Sequence, residues 1–155
     1  MSDGKKGNTI DMEEIKVSIT TPIYPTEDAE RVKEAVKKLF PKAKVNISGP
    51  FDTYDRVEVD LLVCEGGLEI LEKFRKRIRE QRILDTARSL IYSGGMKFSL
   101  NKQSALVEMI NFKEKAPLGT INIEIEDSDN KLIDWLAPET EEGSPVDRNI
   151  EANSE

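Results

Sequence analysis

The residues best suited to chemistry lie in a basic stretch at positions 73–88, which holds seven basic residues against two acidic ones. Arg75, Arg79 and Arg82 stand at positions i, i+4 and i+7, so a helix places their guanidinium groups in one outward stripe. Each guanidinium carries paired N–H donors that match the oxygens of a phosphate. The stripe, with Lys73 beside it, predicts a surface that binds an anionic polymer. An ordinary solvated helix face, which usually mixes its charges, is the alternative.

A second polar stripe follows from a change of phase in the apolar pattern of residues 68–92. On a straight helix, the residues that continue the first apolar face are polar: Gln81, Asp85 and Arg88. Two interpretations remain open. Either the segment breaks near Arg82 and each half buries its own face, or one straight helix directs this inner stripe into a polar network or a ligand. On a straight helix Asp85 and Arg88 are three positions apart, where they are expected to pair.

A third group of polar residues interrupts two strand-like runs at positions 101–104. Asn101, Lys102 and Gln103 stand where a hairpin connection is expected. A plain turn explains them. The functional alternative is that two amides and a lysine at the end of a sheet contact the bases and phosphates of a nucleic acid.

The elements that must position these residues follow from hydrophobic periodicity and turn signals. In chain order the pattern predicts a strand from residue 15 to Pro22, a helix capped by Thr26 that ends before Pro41, strands at 44–48 and 56–64, helical residues 68–92, and strands at 96–100, 105–112 and 120–126. Residues 132–136 are predicted as a short strand or docking segment whose Trp135 covers the core. This order is typical of an α+β fold, in which a largely antiparallel sheet carries helices on one face.

The distribution of charge along the chain divides it into a body and acidic or polar ends. The net charge is −7, but residues 124–155 hold eleven acids against two bases, which leaves 21 bases against 19 acids in residues 1–123. The body is therefore mildly basic and compatible with a nucleic-acid partner. We interpret residues 1–12 as a flexible tail, residues 13–138 as a single domain, and residues 139–155 as an acidic disordered tail.

Composition also disfavours several classes of protein. The chain has no histidine, and its one cysteine, Cys64, follows an apolar run and is predicted to lie in the core, so no zinc site is expected. No apolar run reaches the roughly 18–20 residues needed to cross a bilayer, and the N-terminus does not resemble a signal peptide. We expect a soluble cytoplasmic protein without membrane contact. No catalytic motif is present, so we expect no enzymatic activity, no cofactor and no metal.

Six blocks of sequence carry a resemblance to a known family. They are PIYPTED at 22–28, LEKFR at 71–75, QRILDTAR at 81–88, FSLNKQ at 98–103, PLG at 117–119 and DWLAP at 134–138. In this order, over about residues 14–138, the chain resembles UPF0201 (DUF54), an archaeal family of uncharacterised proteins. The resemblance implies a fold similar to that of a ribosomal large-subunit protein that binds 5S ribosomal RNA, and it implies an RNA-binding role.

Together these observations predict an RNA-binding protein that contacts phosphates through a basic helix. Aromatic residues make up only 6% of the chain and no base-stacking motif is present, so structured RNA held by its phosphates is the expected partner. The main alternative is a protein-interaction module, or a homodimer joined at a sheet edge, that binds no nucleic acid. The candidate RNA-binding residues are Lys73, Arg75, Arg79, Gln81, Arg82, Asp85, Arg88, Asn101, Lys102 and Gln103.

Overall fold

A computed structural model describes residues 9–10, 15–53, 56–127, 132–141, 144–145 and 151–152. The strands are β1 (Thr9–Ile10), β2 (Ile15–Ile23), β3 (Asn46–Asp52), β4 (Glu58–Gly66), β5 (Lys97–Leu100), β6 (Ile121–Asp127), β7 (Thr140–Glu141), β8 (Ser144–Pro145) and β9 (Glu151–Ala152). The helices are α1 (Ala29–Leu39), α2 (Glu72–Glu80), α3 (Leu84–Ser93), α4 (Lys102–Leu106) and α5 (Leu132–Leu136), with a 3-10 turn at Leu68–Leu71. Within these residues no helix has the length and apolar character needed to cross a membrane.

The main sheet has five strands in the order β3-β4-β2-β6-β5, each antiparallel to its neighbours. Its central strand, β2, alternates as predicted: Val17 and Ile19 are buried and Lys16 is exposed. Cys64 of β4 and Ile123 of β6 lie opposite Ile19 and are buried with it. The buried residues of the helices join the same apolar core, so the helices cover one face of the sheet. The predicted α+β arrangement is confirmed.

β2 continues through Pro22 to Ile23, one residue beyond its predicted end. Proline has no N–H group, so it is tolerated in a strand only where a side of that strand is unpaired. β6 pairs with β2 over residues 15–20, whereas β4 pairs with it as far as Ile23. At Pro22 the strand is therefore bordered by β4 alone.

The first helix begins slightly later than predicted and ends against α2. Its N-cap is Asp28, whose carboxylate accepts a hydrogen bond of 3.0 Å from the backbone N–H of Glu30, while Thr26 lies in the preceding turn. Both residue types cap helices well, so the sequence could not separate them. After the helix, Phe40 stacks on Phe74 with ring centroids 5.3 Å apart, which fixes the end of α1 beside α2.

The basic stretch is divided between two helices. α2 ends at Glu80, α3 begins at Leu84, and Arg82 between them has a φ of 60°, outside the range of a right-handed helix. The interpretation of two helices with a break near Arg82 is confirmed, and the single straight helix is wrong. Each helix buries its own apolar residues: Phe74 and Ile78 in α2, and Leu84, Ala87 and Ile91 in α3.

The strand predicted at 105–112 is wrong. The side chain of Asn101 accepts a hydrogen bond of 2.8 Å from the backbone N–H of Ser104, and this cap begins α4 where a hairpin was expected. After α4 the chain runs irregularly, and Phe112 returns to the sheet as an isolated bridge to Leu100. The apolar residues of this region therefore belong to a helical turn and a loop.

The segment predicted at 132–136 is helix α5, which packs on α3 and receives hydrogen bonds from α2. Its apolar run is too short for periodicity to separate a helix from a strand. Trp135 is 6% exposed and covers the core as predicted. The docking interpretation is confirmed, and the strand interpretation is wrong.

The two predicted tails lie mainly outside the described residues, so their interpretation stays a prediction. Within residues 1–12 the structure describes β1, which pairs in parallel with β9. Within residues 139–155 it also describes β7 and β8, which form a two-stranded antiparallel pair.

Candidate nucleic-acid interface

The side of the molecule formed by the end of α1 and by α2 is rich in cations. Residues 37–44 contain four lysines and no acid. The stacking of Phe40 on Phe74 holds this segment beside α2, and Lys42 Nζ lies 2.7 Å from Glu72 Oε1. We call the exposed side chains of residues 37–44, of α2 and of Arg82 in the turn after α2 the α1–α2 surface.

An open depression of about 470 Å³ lies on the α1–α2 surface. Within it, Lys73 Nζ lies 2.9 Å from Glu108 Oε1, and the hydrogen bond from Lys73 lowers the pKa of the Glu108 carboxyl group. The hydrogen bond to Glu72 likewise raises the pKa of Lys42. The depression thus holds lysines whose carboxylate partners are themselves exposed. Its lining comprises Pro41, Lys42, Glu69, Glu72, Lys73, Lys76, Glu80 and Glu108.

The predicted arginine stripe is largely engaged with α5. Arg75 Nε donates a hydrogen bond of 2.7 Å to the carbonyl oxygen of Trp135, and its guanidinium lies 4.7 Å from the centre of the Trp135 ring. Arg79 donates to the carbonyl oxygens of Leu136 at 3.1 Å and of Trp135 at 3.3 Å. Both arginines satisfy carbonyl groups that a helix end leaves unpaired. The expectation that they point freely into solvent is wrong, because α5 packs beside them.

The charges of Arg75 and Arg79 are poorly compensated. In the part of the chain that the structure describes, their acceptors are carbonyl oxygens, and neither forms an ion pair with a carboxylate. Burial lowers the pKa of Arg75, and burial together with repulsion from Arg75 lowers the pKa of Arg79 to about 10. Burial thus disfavours both positive charges, and no carboxylate among the described residues offsets this effect by an ion pair.

Two further cations of the basic stretch are exposed, and a third is engaged. Lys76 on α2 and Arg82 in the α2–α3 turn are exposed, and neither side chain has a hydrogen-bond or ion-pair partner among the described residues. Arg77 donates from Nε to the carbonyl oxygen of Glu108 at 2.6 Å and lies 3.3 Å from the carboxylate of Glu80. Lys76 and Arg82 are therefore available to a ligand without any rearrangement.

The predicted pairing of Asp85 with Arg88 is wrong. Arg88 Nη1 lies 2.8 Å from Asp134 Oδ1 and donates to the carbonyl oxygen of Ala137 at 3.1 Å. Asp85 accepts a hydrogen bond of 2.6 Å from the hydroxyl group of Thr140. Because α3 starts anew after the break at Arg82, its polar face turns towards α5 and the segment that follows it. Arg88 thus helps Arg75 and Arg79 to hold that end of α5.

The three candidate amide side chains differ in whether they form hydrogen bonds within the protein. The Gln81 side chain donates to the carbonyl oxygen of Ile110 at 2.9 Å and accepts from the N–H of Ile110 at 2.8 Å, which ties the loop after α4 to the α2–α3 turn. Asn101 caps α4 through Ser104. Gln103 is exposed. The structure does not bring these residues together with the arginine stripe into one contiguous polar group.

Lys102 is a buried structural cation. Its ammonium group donates to the carbonyl oxygens of Pro22 and Leu118, both at 2.6 Å, and lies 3.0 Å from the carboxylate of Glu27. The side chain is only 8% exposed, and burial lowers the pKa of Lys102 against the opposing effect of Glu27. The expectation of a lysine presented at a sheet end is wrong, because α4 directs this side chain inward.

The face of the sheet that the helices leave open carries a different charge. Lys16 lies opposite Glu126 in register and 3.7 Å from Glu65. Lys97 lies opposite Glu124, at 3.8 Å. Each lysine is thus matched by a carboxylate, and acids outnumber bases among these residues. This face does not resemble a phosphate-binding surface.

Two parts of this arrangement were missed by sequence reasoning. The four lysines of residues 37–44 are visible as a run in the sequence, but they were not among the predicted RNA-binding residues. The carbonyl groups of α5 gave no signal at all, since every residue has one. Trp135 lies 60 residues from Arg75 in the chain, so their contact depends on tertiary packing.

Comparison with known proteins gives matches that cover most of the chain. A family model described as RNA binding matches residues 16–126. The UPF0201 protein of Thermococcus kodakarensis is 36% identical over 138 residues, which cover 85% of this chain and 96% of that protein. The UPF0200/UPF0201 protein of Archaeoglobus fulgidus is 36% identical over 140 residues, and the match covers 85% of this chain but only 40% of that longer protein.

A solved structure shares the fold. The crystal structure of a UPF0201 protein from Methanococcus jannaschii superposes with a TM-score of 0.72 at 31% identity, covering 85% of this chain and 99% of that one. The likeness to the ribosomal protein that binds 5S RNA stays a prediction. The region matched by the family model includes helices α1 to α4 and the main sheet except Ile15 of β2 and Asp127 of β6. The chain therefore belongs to the UPF0201 family, whose family model is described as RNA binding.

Proposed function

We propose that this protein binds RNA and holds it by phosphate contacts on the α1–α2 surface. The observation that carries the proposal is the unequal charge of the two faces of the molecule. Residues 37–44 hold four bases and no acid, and residues 72–82 hold six bases and two acids. On the open sheet face, in contrast, Lys16 and Lys97 lie beside three glutamates, so acids outnumber bases there; they are Glu65, Glu124 and Glu126. A polyanion is attracted to the first face and not to the second.

The exposed side chains favour phosphate contacts over base stacking. Tyr92 is 66% exposed, and no other aromatic side chain in the described residues is more than half exposed. It lies on α3 beside Asp85 and Glu139, away from the lysines of the depression. Proteins that bind single strands usually stack bases on aromatic rings, whereas structured RNA is recognised by shape and backbone. Structured RNA is therefore the partner that we propose.

The proposed phosphate contacts fall into two groups: cations whose side chains have no partner within the described part of the free protein, and cations that form an ion pair with a carboxylate. Lys76 and Arg82 are exposed and can reach a phosphate directly. Lys42 and Lys73 must first leave a carboxylate, but the side chains in both ion pairs are 36–60% exposed. Exposed pairs of this kind contribute only about 0–1 kcal/mol, so exchange for a phosphate has a low cost.

Titration of the protein with structured RNA at two ionic strengths tests the proposal. Binding should weaken as salt rises, and the double variant Lys76→Gln, Arg82→Gln should lower the salt slope by about one to two. The matched control, Lys16→Gln with Lys97→Gln, removes the same charge from the open sheet face and should leave the slope unchanged. Absence of binding at low salt, or binding indifferent to salt, would contradict RNA binding. Equal effects of the two double variants would contradict its location.

A second candidate function follows from the edge of the sheet. β3 is an edge strand whose seven residues are all exposed, including Ile47 and Phe51 at 43% and 46%. Unpaired strand edges readily add a strand from another chain. A homodimer that sediments as such, is dissociated by Phe51→Lys and binds no RNA would favour this function. Neither function involves catalysis, and we propose that the protein is not an enzyme.

A further inference from the structure

We propose that Arg75 and Arg79 form a preformed phosphate-binding site at the junction of α2 and α5. The inference rests on the proposed function, because it takes a backbone phosphate of RNA as the ligand of this site. The chemistry that the site recognises is a phosphoryl group, so free inorganic phosphate should bind in the same place. The two residues thus add a defined subsite to the more diffuse α1–α2 surface.

The guanidinium groups are fixed before any ligand arrives. Arg79 Nη1 donates to the carbonyl oxygens of Arg75 at 3.0 Å and of Leu136 at 3.1 Å, and its Nη2 donates to that of Trp135 at 3.3 Å. Arg75 is held by its own bond to the Trp135 carbonyl and by contact with the Trp135 ring. The two side chains lie one helical turn apart on the same side of α2. Cations that are already immobilised lose less side-chain entropy when they bind a ligand.

Both arginines retain N–H donors that meet no acceptor within the described ranges. Arg75 uses its Nε, which leaves the terminal nitrogens Nη1 and Nη2. Arg79 uses both donors of Nη1 and one of Nη2, which leaves Nε–H and the second N–H of Nη2. A phosphate has several oxygens and can accept hydrogen bonds from two guanidinium groups at once. Free donors on two neighbouring guanidinium groups are therefore suited in number and charge to a tetrahedral oxyanion.

Charge balance distinguishes this pair from the other partly buried arginines. Arg88 faces Asp134 at 2.8 Å, and Arg77 faces Glu80 at 3.3 Å, so each has a carboxylate. Arg75 and Arg79 face carbonyl oxygens and each other. The pKa of Arg79 is lowered mainly by burial and to a smaller extent by repulsion from Arg75. An anion bound between the two would offset that repulsion, which a neutral ligand cannot do.

Calorimetric titration of the full chain with inorganic phosphate, at constant ionic strength in chloride, tests the site. The wild type should bind phosphate. Arg79→Lys should weaken binding at least about tenfold, because lysine keeps the charge but lacks the planar fork. Arg75→Lys should do the same and serves where Arg79→Lys does not fold. Lys16→Gln, a change on the open face of the sheet, should leave phosphate affinity unchanged.

The side-chain Nε–H resonance of Arg79 gives an answer that needs no variant, since it should shift when phosphate is added to the wild type. Absence of phosphate binding, an unmoved resonance, or unchanged affinity in both lysine variants would overturn the site. Structured RNA titrated in parallel separates this inference from the proposed function. RNA binding without phosphate binding overturns only the site. Phosphate binding without RNA binding overturns the proposed function and leaves the site in place.

Discussion

On the side of α2 that faces α5, Arg75 and Arg79 are partly buried and donate to the carbonyl oxygens at the end of that helix. On the side that faces α1, Lys73 and Lys76 line an open depression. Every one of these side chains carries the same formal charge, so charge does not separate the two sides. The difference is made by α5, which supplies acceptors to one side only. A guanidinium can satisfy such acceptors and still keep donors for a ligand, whereas an ammonium group has fewer donors.

Among the cations that hold the fold together, Lys102 is expected to contribute most to stability, because it is buried more completely than the arginines. Lys102→Met should cost about 3–5 kcal/mol of unfolding free energy, because Glu27 would be left as a buried charge without its partner. Denaturant unfolding measures this cost. Lys44→Met, at an exposed lysine, is the control and should change stability little. A loss below about 1 kcal/mol at Lys102 would show that its ammonium group reaches water.

The next largest effect is expected on the α5 side of α2. Arg79→Met should cost about 1.5–3 kcal/mol, because the Leu136 and Trp135 carbonyl groups lose a charged donor. Trp135 is the only tryptophan, so its fluorescence reports the docking of α5 directly. The emission should shift to the red at lower denaturant than the loss of circular dichroism. Coincident, unshifted transitions would mean that Arg79 does not hold α5.

Residues with local, periodic signals were the ones that the sequence could predict. The alternation around Ile19 predicted the central strand, and the change of apolar phase near Arg82 predicted a break between two helices as one of two interpretations. Both signals are carried by neighbouring residues on one element. The α+β class followed from the order of such elements.

The roles of the individual cations could not be predicted in the same way. Arg75 and Lys102 find their acceptors 60 and 80 residues away, at Trp135 and Pro22. Those acceptors are backbone carbonyl groups, which have no signature in the sequence. Asn101 is a different case, because its capping role was local but competed with an equally plausible hairpin turn. The sequence therefore predicted function from the distribution of charge. Tertiary packing determines which of the charged side chains are free to bind a ligand.

On the side of α2 turned away from this packing, stability should barely respond to substitution. The double variant Lys76→Gln, Arg82→Gln should change unfolding free energy by less than about 0.5 kcal/mol, since both side chains are exposed and without partners among the described residues. Thermal denaturation measures this directly. A clear loss of stability would show that one of these side chains supports the fold, and that residue would no longer belong to the proposed interface.

The smallest effect concerns Glu108, which Lys73 hydrogen-bonds at the depression. That contact holds the pKa of Glu108 below its ordinary value of 4.5. A carboxyl group with a depressed pKa adds stability above its unfolded pKa, and the contribution disappears as the pH falls from about 4.5 through the folded value. Both side chains are more than a third exposed, so solvent screens the pair and unfolding measurements should scarcely detect it.

The pKa itself is the better observable, because RNA should move it. If Lys73 leaves Glu108 for a phosphate, the carboxylate loses its donor and gains a negative neighbour, and both changes raise the pKa of Glu108. Carbon-detected NMR titration of the Glu108 carboxyl group, with and without structured RNA, measures the change. The carboxyl resonance of Glu65, which lies beside Lys16 on the open sheet face, should not respond to RNA. A rise at Glu108 alone would support exchange of Lys73 between carboxylate and phosphate, whereas an unchanged Glu108 in an RNA-bound protein would exclude the depression from the interface.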